Sequence, residues 1–162
     1  MKRRTFLVSL GAVVALALAA AVGAAVIHGT PGDDHLVGTP AADVIFAGAG
    51  NDTVYGKEGP ATLYGADGND VLHGGAGDDV VFGGAGDDTL YGGAGADRLY
   101  GGPGGDTLFA LANDNRRDYL DCGAGDDTAN LNVHERGLYR VVGCEHVNWI
   151  DPSPEQTAEE GS

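Results

Sequence analysis

The stretch GGAGDDVVF-GGAGDDTLY-GGAGADRLY-GGPGGDTLF, residues 74–109, repeats one nine-residue phrase four times and decides the fold. The phrase is G-G-x-G-x-D-x-apolar-x. Looser copies extend it upstream in the same phase, so nine copies fill residues 29–109 without an insertion. A strict short period over such a long segment predicts a solenoid, in which successive copies stack on one another instead of packing in layers.

The nonapeptide resembles the haemolysin-type, or repeats-in-toxin, calcium-binding repeat, which forms a parallel β-helix. The resemblance covers residues 29–109 and is carried by the three glycines, the aspartate and the aliphatic residue of each regular copy. It implies an all-β parallel β-roll, a right-handed β-solenoid with two short strands in each 18-residue coil. It also implies bound Ca²⁺.

Within each copy, the first six residues are expected to form a turn and the last three a short strand. Glycines at positions one, two and four allow a tight bend with positive φ. Position eight is aliphatic in all nine copies and is expected to point inward: Leu36, Ile45, Val54, Leu63, Leu72, Val81, Leu90, Leu99 and Leu108. Two copies make one coil, so nine copies predict four and a half coils.

Position six carries an aspartate in eight of the nine copies. Calcium takes six to eight oxygen ligands, and carboxylates together with backbone carbonyls of the turns supply that type of atom. The residues expected to bind it are the aspartates Asp34, Asp43, Asp52, Asp70, Asp79, Asp88, Asp97 and Asp106, with the turn glycines Gly74, Gly75, Gly77, Gly83, Gly84, Gly86, Gly92, Gly93, Gly95, Gly101, Gly102 and Gly104. The alternative is that the aspartates only form turns.

Alternate copies fall on the same side of the roll, which predicts where the ions bind. One side has an unbroken series that defines four sites between turns: Asp34, Asp52, Asp70, Asp88 and Asp106. On the other side Ala61 interrupts the series, which leaves only the Asp79/Asp97 site intact. We therefore predict about five strong calcium sites, with two impaired sites around Ala61.

The predicted core is thin, with one aliphatic layer from each sheet. Ordering the backbone costs about 1–2 kcal/mol per residue, which such a core does not offset on its own. We therefore expect the chain to fold cooperatively with calcium and to be disordered without it.

The ends of the chain differ from the repeats. Residues 1–25 combine a basic start with an apolar run and small residues, which predicts a signal peptide for secretion by the Sec or the twin-arginine route. A retained membrane anchor is the alternative. Residues 110–150 are interpreted as an interruption, one degenerate copy at 122–130 and a cap, with Trp149 over the last coil; residues 151–162 are interpreted as a flexible acidic tail.

Cys122 and Cys144 are the two cysteines of the chain. An even pair in an exported protein favours one disulfide, and a metal-binding pair is the weaker alternative because no CxxC spacing accompanies it.

Charge and motifs exclude several classes of function. Without residues 1–25 the chain has six Lys and Arg against 24 Asp and Glu, a formal charge of −18, which disfavours nucleic acid. No segment of this mature chain is apolar enough for a membrane span, and neither an HExxH nor a GxSxG motif is present. We therefore expect no enzyme activity.

Position nine is aromatic in seven copies and is expected to face outward. On one side four rings would stack in a row: Phe46, Tyr64, Phe82 and Tyr100. Cross-strand packing explains such a row without a partner. The functional alternative is a surface for a cell-surface polysaccharide or for self-association.

Overall fold

A computed structural model describes residues 14–16 and 23–152 of the 162-residue chain. Most of the predicted signal peptide, and the predicted tail from residue 153 onward, lie outside the described residues. Within the described ranges, no helix is long and apolar enough to cross a membrane.

Parallel strands form two sheets, and strands alternate between them along the chain. The first sheet consists of β1 (Val14–Leu16), β3 (His35–Val37), β5 (Thr53–Tyr55), β7 (Val71–Ala76), β9 (Thr89–Ala94), β11 (Thr107–Ala110), β13 (Thr128–Asn132) and β15 (His146–Ile150). The second consists of β2 (Val26–His28), β4 (Val44–Ala49), β6 (Thr62–Asp67), β8 (Val80–Ala85), β10 (Arg98–Pro103), β12 (Tyr119–Ala124) and β14 (Arg140–Val142). A 3-10 helix, Val133–Glu135, precedes β14.

The register confirms the all-β parallel solenoid with two strands in each 18-residue coil. Leu72 lies beside Leu90, one coil further along. The same offset holds for Ile45 and Leu63 in the other sheet. Because copies alternate between the sheets, equivalent positions of every second copy lie next to each other.

The core is the aliphatic column predicted at position eight. All nine of these side chains are completely buried. Each sheet contributes one layer, so the interior is as thin as the sequence predicts. Small residues fill the remaining space, among them the buried Ala47 and Ala110.

The strands are longer than predicted. In the regular copies they run for six residues and continue through the first three positions of the following copy, as in Val71–Ala76. Pairing across the glycines accounts for the extra length, because Gly75 and Ala76 lie beside Gly93 and Ala94. The tight turn is therefore confined to positions four to six of each copy.

The regular repeats end at Phe109, but the solenoid continues beyond this residue. Residues 110–121 form a twelve-residue copy in which Asp118 and Leu120 take positions six and eight, and Leu120 lies beside Leu99 in β10. The coil accommodates the three extra residues ahead of the strand. Further pairing of β13, β14 and β15 brings the total to about seven coils.

The disulfide is confirmed. Cys122 and Cys144 are joined with an S–S distance of 1.99 Å, and Cys122 is completely buried. The bridge links β12 to the segment before β15. Trp149 does not cover the last coil as expected: it lies within β15 beside Leu131 and is 40 % exposed.

Candidate metal centre

The position-six aspartates are buried between successive coils. None of the eight is more than 5 % exposed. Buried carboxylates are rare in proteins unless they are paired or bind a cation. The atoms around these carboxylates therefore show whether each one is paired or has room for a cation.

A hydrogen-bond ladder holds one oxygen of each carboxylate. The Asp70 backbone N–H donates to Asp88 Oδ1 at 2.8 Å, and the Asp79 N–H donates to Asp97 Oδ1 at 2.9 Å. The same bond links Asp52 to Asp70. Each aspartate is thus oriented by the coil before its own.

The second oxygen of most of these carboxylates has no partner. Six Oδ2 atoms are buried without a hydrogen bond, those of Asp52, Asp70, Asp79, Asp88, Asp106 and Asp127. A buried unpaired polar group is destabilising by about 1–3 kcal/mol, and more when the group is charged. A row of such atoms is the strongest indication in this structure of an absent cation.

Burial also shifts the acidity of these groups. Desolvation raises the pKa of Asp88 to about 7 and that of Asp97 to about 8, and repulsion from neighbouring aspartates adds to both shifts. Asp70, Asp79 and Asp106 are raised to about 6. Burial therefore penalises the charged form of all five, and at neutral pH Asp97 favours the protonated form unless a positive charge lies beside it.

Glycine at position one lies next to the unpaired oxygen in copies such as those of Asp70 and Asp88, whereas the copies of Asp52 and Asp127 have Ala47 and Cys122 at this position. A Cβ at Gly83 would lie 2.4 Å from Asp88 Oδ2 and 2.8 Å from the Gly101 carbonyl oxygen. At Gly65 the corresponding distances to Asp70 Oδ2 and the Gly83 carbonyl oxygen are 2.2 Å and 2.4 Å. A carboxylate oxygen and a carbonyl oxygen of the next coil thus border the same small space between coils, and both are ligand types that a hard cation prefers.

Positions two and four have the positive φ that the sequence predicts. Gly84 and Gly86 have φ of 123° and 132°. Position one does not: Gly83 is absent from the residues with positive φ, and glycine is required there by the lack of space for a side chain.

Carboxylates alone do not complete a site. Across residues 14–16 and 23–152, no group of three or more His, Cys, Asp and Glu side chains could hold a metal ion. Backbone carbonyls would have to supply most of the ligands, in agreement with the prediction that the turn glycines take part.

The first two copies differ from the others. The Thr30 hydroxyl donates to Asp34 Oδ2 at 3.0 Å, and the Thr39 hydroxyl lies 2.9 Å and 3.0 Å from the two oxygens of Asp43. Threonine at position two therefore supplies a donor that the glycine of later copies lacks. Asp43 thus has partners on both oxygens and needs a cation less than the later copies, whereas Asp34 Oδ1 remains buried without a hydrogen bond.

Ala61 leaves a gap in the second series. Its N–H still donates to Asp79 Oδ1 at 2.7 Å, so the ladder continues on one side. A Cβ at Gly56 would lie 3.0 Å from the Ala61 methyl group, where the other copies have a carboxylate oxygen. The impaired sites around Ala61 remain a prediction with this geometric basis.

Three acidic residues beyond residue 109 extend the series. Asp118 Oδ1 accepts the Asp97 N–H at 2.9 Å, and Asp127 Oδ1 accepts the Asp106 N–H at 2.7 Å. Glu145 accepts the Asp127 N–H at 3.0 Å. A search for D-x-apolar triplets that allowed insertions would have found Asp118 in DYL.

Position five forms a second ladder. The Asn69 N–H donates to Asn51 Oδ1 at 2.8 Å, and the Gly105 N–H donates to Asp87 Oδ1 at 2.8 Å. These bonds are exposed and run in the opposite sense to those of position six. They link coils without forming a metal site.

The aromatic residues of position nine stack as predicted. Ring centroids of Phe46, Tyr64, Phe82 and Tyr100 lie 4.9–5.0 Å apart along the row. We call these four residues the aromatic row. A second stack, Tyr55, His73, Tyr91 and Phe109, runs along the other sheet.

A comparison with protein families agrees with this geometry. The family model described as RTX calcium-binding nonapeptide repeat (4 copies) matches residues 28–63, 55–90, 73–108, 82–116 and 91–129. A search of curated proteins found no match to the chain. The matched segments extend past Phe109 and include both Asp118 and Asp127.

Proposed function

The chain belongs to the family of proteins built from RTX calcium-binding nonapeptide repeats, and on this premise we propose that it is an exported, non-catalytic β-roll that folds when calcium binds between its turns. The observation that carries the proposal is the row of six buried Oδ2 atoms without a partner. Bound calcium would neutralise these carboxylates and link each coil to the next.

The residues that would hold calcium are the position-six aspartates with the carbonyl oxygens that border the same spaces. We propose the strong sites at Asp52, Asp70, Asp88 and Asp106 in one series and at Asp79 and Asp97 in the other. Asp118 and Asp127 extend both series toward the C-terminus. Asp43, whose two oxygens both accept the Thr39 hydroxyl, would contribute a weaker site, whereas Asp34, whose Oδ1 is buried without a hydrogen bond, would join the first series.

Export and the absence of catalysis are further parts of the proposal. The basic and apolar pattern of residues 1–25 supports secretion. Repeats and their structural continuation occupy residues 29–150, which supports a role based on calcium and not on a reaction.

The change Asp88→Asn tests the sites directly. Asparagine keeps an oxygen for the Asp70 N–H but replaces the unpaired Oδ2 and removes the charge. We expect the variant to bind about one or two fewer calcium ions per molecule and to need more calcium to fold, because each turn borders two spaces. Calorimetric titration gives the ion number, and circular dichroism gives the folding midpoint.

The matched control is Asp87→Asn, at the neighbouring position. Asn51 and Asn69 already occupy this position in other copies and accept the same ladder bond. The control removes the same charge but should keep the wild-type ion number. Equal losses in both variants would mean that calcium responds only to overall acidity, which would refute the proposed sites.

A second candidate function uses the aromatic row as a docking surface for cell-surface polysaccharide. Its rings stack at regular spacing and Phe46 is 38 % exposed, which supports this role. We expect Tyr64→Val and Tyr100→Val together to reduce retention on immobilised polysaccharide at least about fivefold, since ring faces supply the contact to a sugar. Valine already occupies position nine at Val37.

The control for this test is Tyr55→Val, in the stack of the opposite sheet. Circular dichroism in calcium must show that all variants are folded. Unchanged retention of the Tyr64/Tyr100 variant would refute the docking role. Sedimentation of the same variants would show whether the aromatic row instead mediates self-association.

A further inference from the structure

Arginine side chains gather at the C-terminal part of the second sheet. Of the nine Lys and Arg residues in the chain, five are arginines between residues 98 and 140. Arg98, Arg117 and Arg140 line a cleft of about 360 Å³ together with Tyr119 and Tyr139. We call it the arginine cleft.

The wall of the arginine cleft is formed by adjacent strands. Arg98 in β10, Tyr119 in β12 and Arg140 in β14 lie side by side. The Arg140 guanidinium carbon is 5.6 Å from the centre of the Tyr119 ring. Arg117 comes from the twelve-residue copy, so the insertion adds the third guanidinium.

None of the three arginines of the cleft forms an ion pair within the described residues, although the chain has 24 acidic residues. Within the described ranges, the ion pairs involve Arg116 with Asp78, at 2.9 Å, and two histidines with aspartates. Arg136 lies over the Trp149 ring. The guanidinium groups of Arg98 and Arg117 thus remain available, in a protein with a net charge of −15.

Asp97 and Asp118 also line the cleft, and their carboxylates would repel an anionic ligand. Both are buried, and Oδ1 of each already accepts a backbone N–H. Three guanidinium groups face these two carboxylates, so the formal charge of the cleft lining is +1.

We propose that the arginine cleft binds a small ligand with a carboxylate or phosphate group, whose nonpolar part lies against Leu138 and Tyr139. Arginine presents a planar set of donors that matches both kinds of anion. The cleft volume lies in the range of small-molecule sites. An open cleft beside aromatic rings fits a ligand with a ring next to its anionic group.

The test uses the full chain, folded in calcium and labelled with ¹⁵N, with phenyl phosphate and benzoate as probes. We expect saturable shifts of the NMR signals of Arg98, Arg117 and Tyr119 with at least one probe, and comparison of the two identifies the preferred anion. Arg98→Gln with Arg140→Gln should weaken binding about tenfold or more, because charge-assisted hydrogen bonds are lost.

Arg116→Gln is the matched control, since this arginine pairs with Asp78 outside the cleft. It should bind the probe as the wild-type protein does. Absence of saturable shifts with both probes, equal weakening by the control, or equal binding of the uncharged benzyl alcohol would overturn the proposal. All proteins are measured folded in calcium, so these outcomes are separate from a failure of calcium-dependent folding.

Discussion

Removal of calcium with EDTA at pH 8 is expected to abolish the β-sheet circular dichroism of the protein. Each site occupied at 100 times its dissociation constant stabilises the fold by roughly 2.7 kcal/mol, so five sites supply on the order of 13 kcal/mol. A whole domain is typically stable by about 5–15 kcal/mol. Because the core is thin and the Asp88 and Asp106 oxygens are unpaired, we expect the fold to depend on this contribution.

The control for this experiment is EDTA saturated beforehand with calcium, which has the same ionic strength and must leave the spectrum unchanged. Readdition of calcium should restore it. Small-angle scattering gives an independent measure, because an unfolded chain of this length is more than twice as large as the folded one. A compact, β-rich protein in EDTA would disprove calcium-driven folding.

The stability of the calcium-free protein should depend on pH in a defined direction. In the calcium-free roll the pKa values of Asp88 and Asp97 are raised to about 7 and about 8, whereas an unfolded aspartate titrates near 3.9. The folded state therefore binds more protons between these values, so its stability falls as the pH rises through that window. Calcium-stripped protein is expected to retain more β-structure at pH 6 than at pH 8.5. His73, whose pKa is lowered by burial, acts in the opposite direction.

The second large effect is expected for Gly104→Ala. Gly104 has φ of 148°, and a Cβ there would lie 1.9 Å from the Gly86 carbonyl oxygen of the preceding coil. Backbone strain and overpacking together should reduce the free energy of unfolding by about 3 kcal/mol or more. Urea unfolding at fixed, saturating calcium measures this change.

Gly105→Ala is its matched control, one residue further along. A Cβ at Gly105 meets nothing closer than Asp87 Oδ1 at 3.4 Å, and its φ is not in the positive range. Ala96 occupies the equivalent place in the preceding copy. We expect a change within about 0.5 kcal/mol, and a similar loss of stability in both variants would contradict the steric explanation.

The repeat period was sufficient to predict the fold of residues 29–109. Position eight, from Leu36 to Leu108, has the same chemistry in every copy, so one register satisfies all of them. The division of the position-six aspartates into two series followed from the same periodicity, whereas their burial did not. The Cys122–Cys144 bridge followed from the cysteine count.

Apart from the degenerate copy at 122–130, the C-terminal coils were not predicted because their spacing changes. Three extra residues before Asp118 break the period of nine, although the strand that follows keeps its neighbours. Tyr139 and Glu145 then replace aspartate in the last coils. Pairing between coils tolerates such insertions in the turns, whereas a fixed-period sequence pattern does not.

Individual hydrogen bonds were also beyond sequence reasoning. The role of Thr39 depends on the distance of its hydroxyl from Asp43, and the ladder of Asn51 and Asn69 depends on the direction of the turn. Both features depend on the three-dimensional arrangement of the turn, because the same residue types are common in turns that lack these bonds.

The alternation of copies between two sheets has a consequence for how such a chain can change in length. Loss of eighteen residues would remove one full winding and leave every later side chain on its original face. Loss of nine residues would move every later copy, including Arg98 and the twelve-residue copy, from one sheet to the other. The roll can therefore be shortened or extended in pairs of nonapeptides without rearranging its surface, and an odd number exchanges its two sides.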